Sequence, residues 1–291
     1  MAKILLLTPQ LPYPPQQGTS LRNFHLVLAM AEHNSVTILS FAEPDASTEP
    51  DPLREKCRVL PGVPIPARTA VSRIWQLLTT SRPDMYFRLR SDAFSAELAS
   101  VLRGERFDIV QVEGLELAGY IPEIRIHCPT ARVVLDCHNA ETELQRRAAM
   151  ADRSTPSRWP ATLYSIIQIG RLARFERSAM GLADAVIAVS ETDRARLAEL
   201  SDGQAGDITV IPNTIDVAAY EQTVEVADAE KNRDLVFIGK MDYRPNVDGV
   251  LWFYDVVWPL ILAERPETTW AIVGQRPHPR LSELRSAPGI T

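Results

Sequence analysis

His138 stands where a side chain can do chemistry. It follows the strand pattern Arg132–Asp136, inside the segment Asp136-Cys137-His138-Asn139-Ala140-Glu141. An imidazole just past a buried strand can hydrogen-bond a hydroxyl or a departing phosphate oxygen. A lone histidine is more often structural. The strand-end position is what favours ligand contact here, because open parallel sheets bind ligands at the carboxyl ends of their strands. Glu141 suits the first turn of the next helix, where negative charge is favourable. Glu113 and Glu116 follow the run ending at Val112. They either reach a ligand or form a solvated loop pair, and the second arrangement is the commoner one.

Three further strand ends carry residues of interest. The Pro-rich loop after Ile4–Thr8 ends at Gly18-Thr19-Ser20. Gly18 permits close backbone approach, Thr19 or Ser20 can cap a helix, and that helix start offers free N–H groups to an anion. An ordinary capped loop is the alternative. Gly239-Lys240 follows the apolar run Leu235–Ile238, with Arg244 and Asn246 close behind. A cation there is placed to meet a diphosphate, although surface lysines are common. Val273-Gly274 ends another such run, where glycine either admits a base or ribose or simply makes a turn.

The elements that must position these residues alternate between strand and helix. Strand patterns occupy Ile4–Thr8, Val36–Phe41, Phe107–Val112, Arg132–Asp136, Ala185–Val189 and Ile208–Ile211. Helical patterns fill 21–32, 70–80, 83–103, 141–150, 161–181 and 191–200, the first with Leu21, Phe24, Leu28 and Ala31 on one face. Residues 43–68 are rich in proline and read as a loop. This order predicts an α/β protein with a mostly parallel sheet covered on both faces. Residues 217–233 are polar and acidic and read as a linker. Beyond them the pattern restarts, with strands Leu235–Ile238 and Thr269–Val273, a helix over 247–264 and a short helix over 280–286. The expected division is therefore a first domain over 1–216, a linker over 217–233, and the start of a second doubly wound domain over 234–291.

Composition narrows the classes. The chain has 291 residues, 45% hydrophobic and 23% charged, enough for a core of ordinary size. The net charge of −6 argues against a general nucleic-acid binder, which needs a basic excess. Cys57, Cys128 and Cys137 include no C-x-x-C pair, so neither a disulfide framework nor a structural zinc site is expected, and a reducing compartment fits. There is no G-x-G-x-x-G, no P-loop, no H-E-x-x-H and no G-x-S-x-G. Asp-x-Asp is absent too, and no metal site is expected. No apolar stretch reaches the length of a membrane span. Arg146, Arg147, Arg153, Arg158, Arg171, Arg174 and Arg177, beside Trp159 and Tyr164, either rest on an anionic membrane or form a solvated helix face.

Five stretches together resemble the GT-B glycosyltransferases, family 4 in particular. They are Lys3-Ile4-Leu5-Leu6-Leu7-Thr8-Pro9 with Gly18; Asp136-Cys137-His138-Asn139; Ala183 through Glu191; Val210-Ile211-Pro212-Asn213-Thr214-Ile215-Asp216; and Phe237-Ile238-Gly239-Lys240-Met241 through Ile272-Val273-Gly274. The run from Gly239 to Asp248 resembles a subgroup active in exopolysaccharide sugar transfer. The resemblance implies two Rossmann-like domains, the first for the acceptor and the second for a nucleotide sugar. It also implies metal-independent transfer with retention and no cofactor. His138 becomes the catalytic residue. Gly18, Glu113 and Asn139 fall on the acceptor side, a glycan or lipid-linked molecule. Gly239, Lys240, Asn246 and Gly274 fall on the donor side, and Asn213 and Asp216 mark a hinge. The expected location is cytoplasmic, with a peripheral contact on the inner membrane face.

Two departures stand out. Lys240 replaces the family's usual arginine, and its following lysine is unmatched near Pro245 and Asn246. The family's E-x7-E segment would lie past Thr291, so a C-terminally truncated, inactive chain is one expectation. A non-catalytic acceptor- or partner-binding relative is the alternative. A sugar-nucleotide epimerase or a nicotinamide dehydrogenase fits less well, for want of an acid/base pair or a glycine fingerprint.

Overall fold

The computed structural model describes residues 1–15, 18–42, 51–153, 159–217 and 233–291. They divide into two compact units, Met1–Ile215 and Asp216–Thr291. The segment read as a linker lies mostly outside the described residues. So do Arg158 and the first part of the proline-rich stretch, and the side chains of Arg153 and Trp159 are likewise not described.

The first unit runs β1 (Lys3–Thr8), α1 (Gly18–Ala31), β2 (Ser35–Ala42), α2 (Pro52–Lys56), β3 (Arg58–Val59), β4 (Val63–Pro64), α3 (Ala70–Thr79), α4 (Asp84–Arg88), α5 (Asp92–Gly104), β5 (Ile109–Glu113), α6 (Ile121–His127), β6 (Arg132–Cys137), α7 (Glu141–Arg153), α8 (Trp159–Leu182), β7 (Ala185–Ala188), α9 (Glu191–Ser201) and β8 (Asp207–Val210). One sheet holds all eight strands in the order β3-β2-β1-β5-β6-β7-β8, with β4 on β2, and every pairing is parallel. Alternation places Leu5 and Leu7 in the larger core and Ile4 and Leu6 in the core on the opposite face, so both faces of β1 are buried. Phe94 of α5 fixes the larger core, stacked on Phe41 at 4.5 Å and against Tyr120 at 4.8 Å.

Several elements differ from the sequence reading for local reasons. The helix expected over 83–103 is two, because Ser91 leaves helical geometry and its hydroxyl accepts from Phe94 N as the cap of α5. The proline-rich stretch is not a bare loop but carries α2, capped by Asp51, and two short strands. A turn at Ala118–Tyr120 and then α6, with Pro122 in its first turn, were not foreseen. Helix α1 begins at Gly18, so Thr19 and Ser20 lie inside its first turn. Its fully buried residues are Ser20, Arg22, Asn23 and Val27, while the expected apolar face of Leu21, Phe24, Leu28 and Ala31 is only partly covered. The polar edge of this helix points inward, and the site explains why.

The second unit contains β9 (Leu235–Ile238), α10 (Arg244–Trp252), α11 (Trp258–Glu264) and β10 (Trp270–Val273), with a 3-10 segment over Pro279–Ser286. The two strands pair in parallel. The helix expected over 247–264 is continuous in path, but Phe253–Val257 winds as a π turn ahead of Pro259. Proline lacks the N–H of the regular ladder and crowds the carbonyl four residues back, which widens the turn there. The core gathers Met241, Val247, Val250, Trp258, Trp270, Leu281, Leu284 and Ile290. It covers one face of the strands. Val236 and Ile238 on the other face are 55% and 77% exposed.

Candidate active site

Parallel register builds the site in the first unit. Glu113, the last residue of β5, pairs directly with Asp136 of β6. Side chains alternate along a strand, so His138 leaves the sheet on the same side as Asp136. Three polar groups thus converge at the strand tips. The His138 Nε2 to Glu113 Oε2 distance is 2.9 Å, and Gln111 Nε2 donates to Glu113 Oε1 at 2.6 Å. Glu113 is therefore not a solvated loop residue: it is 1% exposed. The tight turn after it needs Gly114, at φ 80°, whose amide donates to the Asp136 carbonyl.

Two adjacent buried carboxylates require positive charge, and α1 supplies it. Arg22 Nη2 lies 3.0 Å from Asp136 Oδ2 and 3.3 Å from Oδ1, with both side chains almost wholly buried. Arg22 Nη1 donates to the Ile211 carbonyl at 2.8 Å and to Asn213 Oδ1 at 3.2 Å. One guanidinium thus ties helix α1, strand β6 and the chain leaving β8. This is why the polar edge of α1 faces inward.

Burial, and then the neighbouring Glu113 charge, push Asp136 up to about 6 despite Arg22 and His138. For His138, burial works against the charged ring, but the Glu113 hydrogen bond and charge outweigh it and raise the pKa. The protonated ring is favoured. Glu113, Asp136 and His138 place ligand atoms within 4.8 Å of one another, a spacing a cation could use. Arg22 already provides positive charge to Asp136, and the His138 ring adds it to Glu113 when protonated.

The loop after β6 is held by carboxylates from two helices. Glu176 of α8, fully buried, accepts from the amides of Glu141 at 2.9 Å and Thr142 at 3.0 Å, the first residues of α7. Asp193 of α9 accepts from Ala140 N at 3.2 Å. The amides that open α7 therefore already hold an anion of the protein's own. Asn139 is exposed, and its Nδ2 donates to Glu141 Oε1 at 3.1 Å. Burial, opposed by that Asn139 bond and aided by Glu116 and Glu176, lifts Glu141 to about 7. Gly18 opens α1, and a β-carbon there would meet nothing within 4 Å.

The residues read as donor contacts lie together in the second unit, Gly239 and Lys240 just past β9, Gly274 just past β10 and Asn246 in the first turn of α10. A β-carbon on Gly274 would fall 1.8 Å from the Gly239 carbonyl oxygen, so only glycine lets these strand ends approach. Asn246 Nδ2 donates to the Lys240 carbonyl at 3.0 Å and so fixes the loop rather than standing free. Lys240 Nζ is 3.9 Å from Asp242 Oδ1, with its side chain 41% exposed. A cavity of about 360 Å³ opens beside Met241, Gly274, Pro277, His278 and Arg285.

Arg22, Gln111 and Glu176 were missed as site residues. The signal for Arg22 was indirect: Asp136 in an apolar strand demands a cation, but nothing local says which one. Of the arginines read as a basic face, Arg171 donates to the Leu77 carbonyl, Arg177 to that of Leu200, and Arg146 and Arg147 pair with Glu143.

Comparison with known proteins places this architecture. Residues 17–214 match the model of the glycosyl transferase 4-like domain. No curated protein matches the chain by sequence. Among solved structures, the catalytic domain of starch synthase IV from Arabidopsis thaliana, bound to ADP and acarbose, is similar with a TM-score of 0.57 at 13% identity, covering 100% of this chain and 73% of that one. The trehalose-6-phosphate synthase OtsA gives 0.55 at 12% identity, covering 97% and 66%. A trehalose-6-phosphate protein from E. coli, bound with UDP-2-fluoro glucose, gives 0.52 at 12% identity, covering 94% and 65%. The parallel α/β fold is that of the GT-B glycosyltransferases. The chain belongs to the glycosyl transferase 4-like family, and its class is that of the glycosyl-moving transferases.

Two outcomes follow from the charges. Arg22→Met leaves Asp136 buried without its cation and should cost about 3–5 kcal/mol at neutral pH, read by urea unfolding. The loss should shrink at pH 5, where Asp136 takes up a proton. For Glu141 the folded pKa lies above the unfolded one, so stability is lost as pH rises from 4.5 to about 7. Glu141→Gln should abolish that loss, leaving the Tm unchanged at pH 4 and raising it by roughly 7–14 °C at pH 8.

Proposed function

We propose that the chain moves a sugar from a nucleotide-diphosphate sugar to a glycan or lipid-linked acceptor, with retention at the anomeric carbon, in cell-surface polysaccharide synthesis. One observation carries the reading: His138 Nε2 lies 2.9 Å from buried Glu113 at the tips of a parallel sheet, in a chain of the glycosyl transferase 4-like family. ADP in the starch synthase structure and UDP-2-fluoro glucose in the E. coli one support a nucleotide-sugar donor. The resemblance to exopolysaccharide transferases supports the pathway. Three buried free thiols fit a cytoplasmic setting.

The chemistry asks for positive charge where the departing diphosphate gathers negative charge, and for hydrogen bonds on the sugar as it becomes oxocarbenium-like. His138 Nε2 is engaged by Glu113, so when the ring is protonated its Nδ1–H is the donor for a sugar or acceptor hydroxyl. Fixed by Glu113 from below, that donor needs little reorganisation during the reaction. Lys240, at the tip of β9, is assigned to the diphosphate, and Gly239, Asn246 and Gly274 shape the loops around it. Gly18 and Asn139 border the acceptor. The reaction needs no metal on this reading, since Glu113 and Asp136 already have cationic neighbours.

The test is incubation with labelled nucleotide sugars, following both binding and transfer. Failure to bind any donor would remove the reading. His138→Gln, which keeps a hydrogen-bond partner for Glu113, should lower kcat by about 10²–10³-fold while the protein stays folded. Turnover near that of the wild type would take His138 off the site. A chelator should leave the rate unaltered.

A further inference from the structure

Helix α3 is built unlike the other helices of the first unit. It spans Ala70–Thr79, is capped at Thr69 by a reciprocal Thr69–Ser72 capping box, and buries none of its residues. Yet Val71, Ile74, Trp75 and Leu78 recur at the spacing of one helical face. They are 76%, 59%, 67% and 76% exposed. Ile65, just before the helix, is exposed as well. A capped helix with a continuous apolar face turned outward is a surface made to be covered.

The opposite side of α3 is fastened to the fold. Arg171 of α8 donates to the Leu77 carbonyl at 3.0 Å, and Arg73 pairs with Asp84 at 3.4 Å. The apolar face is therefore held outward. Charge around it is one-sided. From Ile65 to Leu89 the chain carries Arg68, Arg73, Arg82 and Arg88 against Asp84 as the only acid, in a protein whose net charge is −6. Asp84 is shared by Arg68, Arg73 and Arg88, and Arg82 lies exposed over the Tyr86 ring. The region keeps a positive excess.

We propose that α3 is a membrane-docking helix that lies in the interface of an anionic bilayer. Val71, Ile74, Trp75 and Leu78 enter the acyl boundary, and the flanking arginines meet lipid phosphates. Such helices bind through buried apolar area together with attraction to anionic headgroups, and tryptophan favours that depth. The arginine excess around the face selects an anionic interface over an apolar protein groove. The inference is independent of the sugar-transfer reading, since it requires no donor and no turnover. It also moves the membrane contact away from the arginines of α7 and α8, of which Arg146, Arg147, Arg171 and Arg177 have partners within the fold.

The test uses the full chain and vesicle co-sedimentation. Wild type should pellet with phosphatidylcholine vesicles containing phosphatidylglycerol, far less with phosphatidylcholine alone, and less as salt is raised. The double variant Trp75→Ala, Leu78→Ser should lower partitioning by at least about tenfold, and Arg82→Gln by about fivefold. All three positions are exposed, so Tm should not move. Absence of binding to anionic vesicles, or equal binding by the double variant, overturns the proposal. So does a wild-type dimer in analytical ultracentrifugation that the double variant abolishes, which would make this face a contact between two copies.

Discussion

A parallel register sets Glu113 beside Asp136, and two buried carboxylates at adjacent strand tips cannot both stay ionised without compensation. Much of the first unit answers that constraint. Arg22 comes from α1 to meet Asp136, and His138 leans onto Glu113. The burial of Arg22 in turn fixes Ile211 and Asn213, so the chain leaving β8 is bound to the same charge cluster. A polar helix edge facing inward is the structural consequence. Truncating any one member would leave a charge buried without its partner, the most unfavourable state open to such a cluster.

Precision at His138 comes from further out. Its loop is caught between Gly114 on one side and the start of α7 on the other. That helix start is gripped by Glu176, and Asp193 holds the preceding amide. Carboxylates on N-terminal amides are favourable partners. Here they also consume the anion-binding capacity of α7, so a phosphate has no claim on that helix end. The proposed diphosphate contact lies instead in the second unit. There Gly239 and Gly274 bring two strand ends into contact, with Lys240 between them and the helix that follows.

The apolar face of α3 belongs to a different level of organisation. It contributes nothing to either core, and its side chains are the kind a fold would bury if burial were their purpose. Pinned from behind by Arg171 and fringed by arginines, it reads as a surface for an anionic interface. Sugar transfer to a lipid-linked molecule would gain from that location, because the acceptor would be held in the same plane.

The order of elements was legible in the sequence because its causes are local. Apolar runs such as Ile4–Leu7 and Val133–Leu135 cannot be hidden except within a sheet, and strand–helix alternation forces that sheet to be parallel. His138 was legible too, since a polar residue past a buried run must emerge at a strand tip. The break before α5 was overlooked although Ser91 carried its signal, and the π turn before Pro259 reflects a constraint inside one helix. The partners of the site were decided only by tertiary structure. Whether Glu113 is solvated or buried depends on which strand pairs with β5 and in what register. That Arg22, rather than another of the many arginines, neutralises Asp136 depends on the angle at which α1 crosses the sheet. Pairing across 114 residues leaves no periodicity in the chain, because a charge finds its partner through space and not along sequence.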